Sequence, residues 1–167
     1  MPKASMVFDL PDNSVTEALG RALARALPGS VSAPAPGAGA VLYLQGDLGA
    51  GKTTCVRSLL WALGVLGPVR SPTYTLVESY PLPALTCVHV DLYRLQTGYE
   101  VDELGLRDLA GSGCLMLVEW PERGGTYLPA ADLELRLSYA GDAREARAEP
   151  KTPLGTDWLE NLDTTLA

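Results

Sequence analysis

Gly46-Asp47-Leu48-Gly49-Ala50-Gly51-Lys52-Thr53 satisfies the spacing G-x-x-x-x-G-K-[ST] at every fixed position. Such a loop means little unless a strand enters it and a helix leaves it. Both are legible here. Val41-Leu42-Tyr43-Leu44 reads as a buried strand, and Thr53 to Leu63 as a helix ended by Gly64. Glycine gives the loop backbone positive φ and close approach to an anion. Successive N–H groups then converge on a phosphate, helped by the positive end of the helix. The pattern assigns Gly49, Ala50, Gly51, Lys52, Thr53 and Thr54 to nucleotide phosphates. Lys52 serves the β- and γ-phosphates, Thr54 the α-phosphate, and the Thr53 hydroxyl a Mg²⁺ ion.

Outward from the loop, the chain alternates strands and helices. Met6-Val7-Phe8 is a short strand candidate, and Ser14-Val15-Thr16-Glu17 has the form of a capping box. Behind it Val15, Ala18, Leu19, Ala22, Leu23, Ala26 and Leu27 follow the spacing of a helix with one apolar face, stopped at Pro28-Gly29. Residues 30–39, rich in Pro, Ala and Gly, read as a loop with nothing for a core. Thr75-Leu76-Val77 is a weaker strand. Thr86 to Val90 and Cys114 to Val118 are near-continuous apolar runs, as in strands covered on both faces. Val101 to Ala110 reads as short helical turns broken at Gly105. Residues 132–149 form a hairpin turning at Gly141-Asp142, and 156–166 a closing helix with Trp158, Leu159, Leu162 and Leu166 on one face. The expectation is a single three-layer α/β domain over residues 1–167, of the P-loop NTPase-like class. Its sheet is mainly parallel, with mixed edges and a C-terminal hairpin plus helix.

Composition narrows the function. The 167 residues carry 13 basic and 20 acidic side chains, a net charge of −7, with lysine only at 3, 52 and 151. A protein that grips nucleic acid alone needs clustered cations to displace counterions, so autonomous DNA or RNA binding is disfavoured. No apolar run approaches the ~20 residues that span a bilayer. The N-terminal stretch lacks the order of a secretory signal, and Cys55, Cys87 and Cys114 each sit in an apolar stretch without a C-x-x-C pair. Buried reduced thiols and a cytoplasmic protein are the expectation.

Guanine-specific GTPases carry [NT]-K-x-D. Ser5, Thr54 and Pro153 stand two residues after the three lysines, so that device is absent and ATP is the default. Magnesium needs oxygen ligands, and two acids close buried strands where open α/β sheets place their ligands. Glu119 ends Cys114 to Val118 in the place of a Walker B acid, and Asp91 ends Thr86 to Val90. If both act, one leans on the metal and the other orients the attacking water. His89, the only histidine, shares Asp91's side of its strand and reads first as a hydrogen-bonded structural residue. Trp120-Pro121 is packing or lid. Arg94 and Arg123 are candidates for a charge-neutralising cation, with a surface ion pair the plainer reading.

Four strings in order carry a resemblance: residues 46–54, Ser71-Pro72-Thr73-Tyr74-Thr75-Leu76-Val77, His89-Val90-Asp91-Leu92-Tyr93-Arg94-Leu95 and Leu117-Val118-Glu119-Trp120-Pro121. Together they resemble the bacterial TsaE (YjeE) family, strongly from Val41 to Pro121 and more loosely beyond. The resemblance implies a slow P-loop ATPase of tRNA threonylcarbamoyladenosine biosynthesis. Such a protein works with the threonylcarbamoyl transferase and its dimerising partner subunit, and meets tRNA only indirectly, with no membrane or DNA. It gives Lys52 and Thr53 the phosphate and Mg²⁺ roles, Glu119 that of a second metal-associated acid, and Asp91 that of the catalytic or water-orienting acid. It makes residues 71–75 a switch-like loop, and sets Thr16 and Arg144 near the nucleotide. Two other classes compete: a small-molecule kinase using the same loop, for which no Arg-rich lid is visible, and a nucleotide-binding switch with negligible turnover.

Overall fold

A computed structural model describes residues 5–31, 39–111 and 113–166, and its seven strands form one sheet. They are β1 (Met6–Leu10), β2 (Ala40–Gln45), β3 (Val77–Pro81), β4 (Thr86–Asp91), β5 (Cys114–Glu119), β6 (Leu133–Ala140) and β7 (Ala143–Pro150). Their order is β1-β7-β6-β2-β5-β4-β3. The inner strands β6, β2, β5 and β4 are parallel, whereas β1, β7 and β3 join antiparallel at the edges. The sheet is therefore mixed, with its parallel part at the centre.

Helices cover both faces. On one side lie α1 (Asn13–Ala26), α2 (Lys52–Leu63) and α5 (Pro153–Leu166). Their core joins Leu19, Leu23, Leu59, Leu60 and Trp158 to Cys87, Leu115, Leu117, Leu135 and Ala146 from the sheet. The other side carries the short helices α3 (Tyr99–Asp102) and α4 (Leu106–Leu109), whose Val101 and Leu106 pack with Val88, Val90, Met116 and Val118. Residues of β4 and β5 thus alternate between two apolar layers. That explains their unbroken apolar runs.

Contact between α1 and α2 rests on small residues. A Cβ at Gly20 would stand 2.4 Å from the Cys55 carbonyl oxygen, so only glycine lets the two backbones approach this closely. Thr16, Gly20 and Ala24 are consequently buried alongside the expected Leu19, Ala22 and Leu23. Trp158 of α5 is fully buried, and its indole N–H donates to the Leu23 carbonyl at 3.0 Å. A buried Trp needs such a partner.

Several expectations shift. The α1 cap is Asp12, whose carboxylate accepts from Val15 N–H, rather than a Ser14–Glu17 box; the Ser14 hydroxyl donates to the same carboxylate. Both residues are good N-caps, and the helix begins at the earlier one. The third strand starts at Val77, because Leu76 has φ 67° and ends the preceding turn, so no strand covers residues 75 and 76. Val31, within the stretch read as a loop, is fully buried in a 3₁₀ turn over Gly29–Val31; residues 32–38 lie outside the described part. α5 begins at Pro153, three residues early, since Thr152 bonds Asp132 at 2.7 Å and accepts from Gly155 N–H. The Leu166 side chain lies outside the described residues. Elsewhere the turns fall as read: Gly64 closes α2 at φ 111°, Gly105 separates α3 from α4, and Gly141 at φ 64° turns the hairpin between Ala140 and Ala143.

Candidate active site

The loop between β2 and α2 lies at the carboxyl end of the parallel strands. There Gly49 and Gly51 adopt φ 81° and 107°, and the N-terminal N–H groups of α2 have no intrahelical partner. Gly46 (φ 146°) passes so close to β6 that a Cβ would stand 2.3 Å from the Leu137 carbonyl oxygen. A cavity of about 350 Å³ opens over this loop. Its walls include Gly49, Gly51, Lys52, Thr53 and Thr54 from the motif and Asp91, Glu119 and Trp120 from the ends of β4 and β5. Ser71, Thr73 and Tyr93 line it from the loops, and Asn13 and Arg144 from the rim. Ala50 has its N–H on the Asp47 carbonyl at 3.0 Å and its methyl buried beneath the loop.

Lys52 is only 5% exposed; its ammonium donates to the Gly46 and Asp47 carbonyls and lies 4.2 Å from the Trp120 ring centroid. Burial holds its pKa below the ordinary lysine value, against the opposing pull of Glu119, Glu122, Asp91 and Asp47. An incoming anion would act in the same direction as those carboxylates. Trp120 is held at φ 58°, which costs a non-glycine residue about 1 kcal/mol and turns its ring toward the lysine. Beneath the site, burial and Glu119 push the Cys55 thiol up to about 12.

Asp91 and Glu119 are register partners on β4 and β5, 3% and 2% exposed. Glu119 accepts from the Thr53 hydroxyl at 2.8 Å and lies 2.6 Å from His89 Nε2. Asp91 accepts from the Ser71 hydroxyl at 2.8 Å, from Thr73 at 3.3 Å and from Tyr93 N–H at 2.9 Å. The expected switch-like loop therefore touches one acid, and the expected magnesium pair contains the other. A hydroxyl and a carboxylate are hard oxygen donors of the kind Mg²⁺ takes, the remainder coming from phosphate and water. Among the described residues no three His, Cys, Asp or Glu side chains form a cage. The donor set fits an ion that arrives with a nucleotide.

Of the remaining candidates, Arg144 reaches the cavity rim, where its guanidinium bonds Asn13 Oδ1 at 2.9 Å. Thr16 lies under the loop instead, its methyl 3.3 Å from where a Gly51 Cβ would stand. Arg94 stacks 4.1 Å over Tyr74, and Arg123 donates to the Leu95 carbonyl; neither lines the cavity. Asn13 completes the rim, and Tyr139 braces the loop from outside the cavity, its hydroxyl bonding the Leu48 carbonyl at 3.1 Å. No motif marks either, because folding alone brings α1 and the hairpin to the loop.

A strand, a glycine loop and a helix at the carboxyl end of a parallel sheet core define the P-loop NTPase-like class of α/β fold. Within it, the family model described as "Threonylcarbamoyl adenosine biosynthesis protein TsaE" matches residues 10–148, and the chain belongs to the TsaE family. It is 44% identical over 115 residues to the tRNA threonylcarbamoyladenosine biosynthesis protein TsaE of Haemophilus influenzae, covering 69% of this chain and 73% of that one. It is 42% identical over 147 residues to the protein of the same name from Streptomyces coelicolor, covering 84% and 91%. The crystal structure of Bacillus subtilis YdiB superposes with a TM-score of 0.77 at 28% identity, covering 100% of this chain and 99% of that one. Membership places the chain in tRNA threonylcarbamoyladenosine biosynthesis. No helix among the described residues is long and apolar enough to cross a membrane.

Proposed function

We propose that the chain binds Mg²⁺·ATP in this cavity and hydrolyses it to ADP and phosphate on behalf of the tRNA-modifying machinery. The observation that carries the reading is convergence. A buried Lys52, the Thr53–Glu119 pair and Asp91 all meet over one loop with unpaired helix N–H groups. Gly49, Ala50, Gly51 and Thr54 complete the cradle for the phosphate tail, Ala50 by shaping the loop from beneath. Thr53 and Glu119 would hold the magnesium, whose charge, when bound, offsets that of the phosphate oxygens.

Lys52 then releases its own loop carbonyls for the β- and γ-phosphates. Asp91 orients a water toward the γ-phosphorus and takes up its proton as the new P–O bond forms and the bond to the β-phosphate oxygen breaks. Catalysis of this kind is positioning plus charge stabilisation. Loop 71–75 senses the γ-phosphate through Asp91, and Arg144 with Asn13 borders the nucleoside end.

The partners are the threonylcarbamoyl transferase and its dimerising subunit in the cytoplasm. They hold the tRNA, which this acidic chain meets only through them. Calorimetry with Mg²⁺ and ATP or ADP tests the first half of this reading, and absence of heat from folded protein overturns it. Phosphate release without any added metabolite, accelerated by the transferase pair, supports hydrolysis on their behalf. Release that requires a small-molecule acceptor would assign a kinase instead.

A further inference from the structure

His89 takes no part in the steps above, yet it is fully buried and touches the site. It stands on β4 between Cys87 and Asp91, with Leu117 as its register partner on β5. Cys87 and Leu117 belong to the apolar layer beneath α2, so the imidazole separates hydrocarbon from the carboxylates. Its Nε2 lies 2.6 Å from Glu119 Oε2, while Glu119 Oε1 accepts from the Thr53 hydroxyl. Its Nδ1 is buried with no partner.

Those two nitrogens together explain why histidine stands here. A residue serving only to fill space would be apolar, as Leu117 is, and would leave no nitrogen without a partner. Lysine or arginine would place a permanent cation against Glu119 and compete with a metal ion for its charge. An imidazole with its proton on Nε2 donates one hydrogen bond and leaves Nδ1 a bare lone pair, which is less costly to bury than an N–H without an acceptor. The bond ties one Glu119 oxygen to the sheet. The other oxygen is left facing Thr53.

We propose that His89 is a positioning residue: through Nε2–H it orients Glu119 so that the free oxygen and the Thr53 hydroxyl form a ready-made pair for magnesium. This inference rests on the nucleotide reading above. Outer partners of metal-binding carboxylates commonly change metal affinity by about ten- to a hundredfold when removed.

The test uses His89→Leu, which keeps volume and removes the donor, and His89→Gln, whose side-chain amide restores one. Thermal midpoints and circular dichroism show that each variant folds. His89→Leu should raise the Mg²⁺ concentration for half-maximal ATP binding about tenfold, with metal-free ATP binding unchanged, and His89→Gln should return it to within about threefold of the parent. A Leu variant with the parent's magnesium dependence, or a Gln variant no better than Leu, overturns the proposal. A readout on the free protein separates this outcome from failure of the nucleotide site. As the chain has one histidine, its imidazole ¹⁵N resonances are unambiguous. A proton on Nε2 with Nδ1 bare is expected; the opposite tautomer overturns the inference. If the parent binds no Mg²⁺·ATP, the nucleotide reading fails, while this spectrum still decides whether His89 holds Glu119.

Discussion

Asp91 and Glu119 end neighbouring parallel strands as register partners and are almost equally buried, yet they are held by different kinds of structure. Glu119 is gripped by regular elements, Thr53 from the first turn of α2 and His89 from within β4. Asp91 is gripped by loops: Ser71 and Thr73 on one oxygen, the Tyr93 N–H on the other. Packed elements open only with the global free energy of unfolding, whereas loops open at far lower cost. The difference supports the roles proposed for them. The acid fixed to the scaffold suits a metal that must be met in one geometry. The acid fixed to a loop suits a step that has to change with the bound nucleotide, and Tyr74 beside it, 81% exposed, shows how much of that loop faces outward.

The hardest strain on this comparison is Glu119→Gln. It keeps the shape and an oxygen for His89 but removes the charge, so turnover should fall about a thousandfold and lose its magnesium dependence. The thermal midpoint should barely move, because the scaffold around residue 119 is packed without it. Asp91→Asn should cost about a hundredfold in turnover while ATP binding survives. Hydrogen exchange separates the two acids more sharply than kinetics. Asp91→Asn should speed exchange across residues 71–75, and Glu119→Gln should leave that segment unchanged. Equal loosening by both variants would erase the distinction between the two acids.

Much of this was readable from residue types and spacing. The loop, its strand and its helix are local, and both acids follow apolar runs whose ends are visible. The rim was less legible. Asn13 reaches the cavity, and Tyr139 the loop beside it, only because α1 and the β6–β7 hairpin flank the same loop, a consequence of strand order. His89 could be placed on Asp91's side of the strand from alternation alone, but alternation cannot show that its nitrogen meets a carboxylate on the next strand. The third strand begins two residues later than its residue types suggest, for a local reason: Leu76 adopts positive φ, which nothing about leucine announces. Residue types alone do not decide where α1 starts, because Asp12 and Ser14 are both good caps.

Lys52 feels the charge of both acids, and pH tests it. Burial lowers its pKa from 10.5, and a group that binds its proton more weakly when folded adds stability as pH rises through the window between the lowered value and 10.5. Phosphate binding needs the charged form and runs the other way. ATP affinity should therefore fall about tenfold per pH unit once pH exceeds the lowered value, before ordinary lysines titrate. Calorimetry across that range, with Lys52→Arg as the control that keeps its charge, checks the sign. A flat profile up to 10.5 would mean that burial does not depress this ammonium.

The smallest effect separates the two hydroxyls on Asp91. Ser71 is 2.8 Å from Oδ2 and Thr73 3.3 Å, and the two hydroxyls are themselves 2.8 Å apart. A hydrogen bond to a carboxylate weakens with length, so the closer donor contributes more. Ser71→Ala removes about 1 kcal/mol from the docked state of the loop, which speeds amide exchange over residues 71–75 about fivefold. Thr73→Ala should do less, because Ser71 keeps its own bond to the acid. The double variant should cost less than the sum if each hydroxyl orients the other, and match it if they act separately. None of the three should shift the magnesium dependence, since neither hydroxyl touches Glu119 or Thr53. A shift in any of them would show that loop and scaffold act as one unit, and the division of labour between the two acids would have to be abandoned.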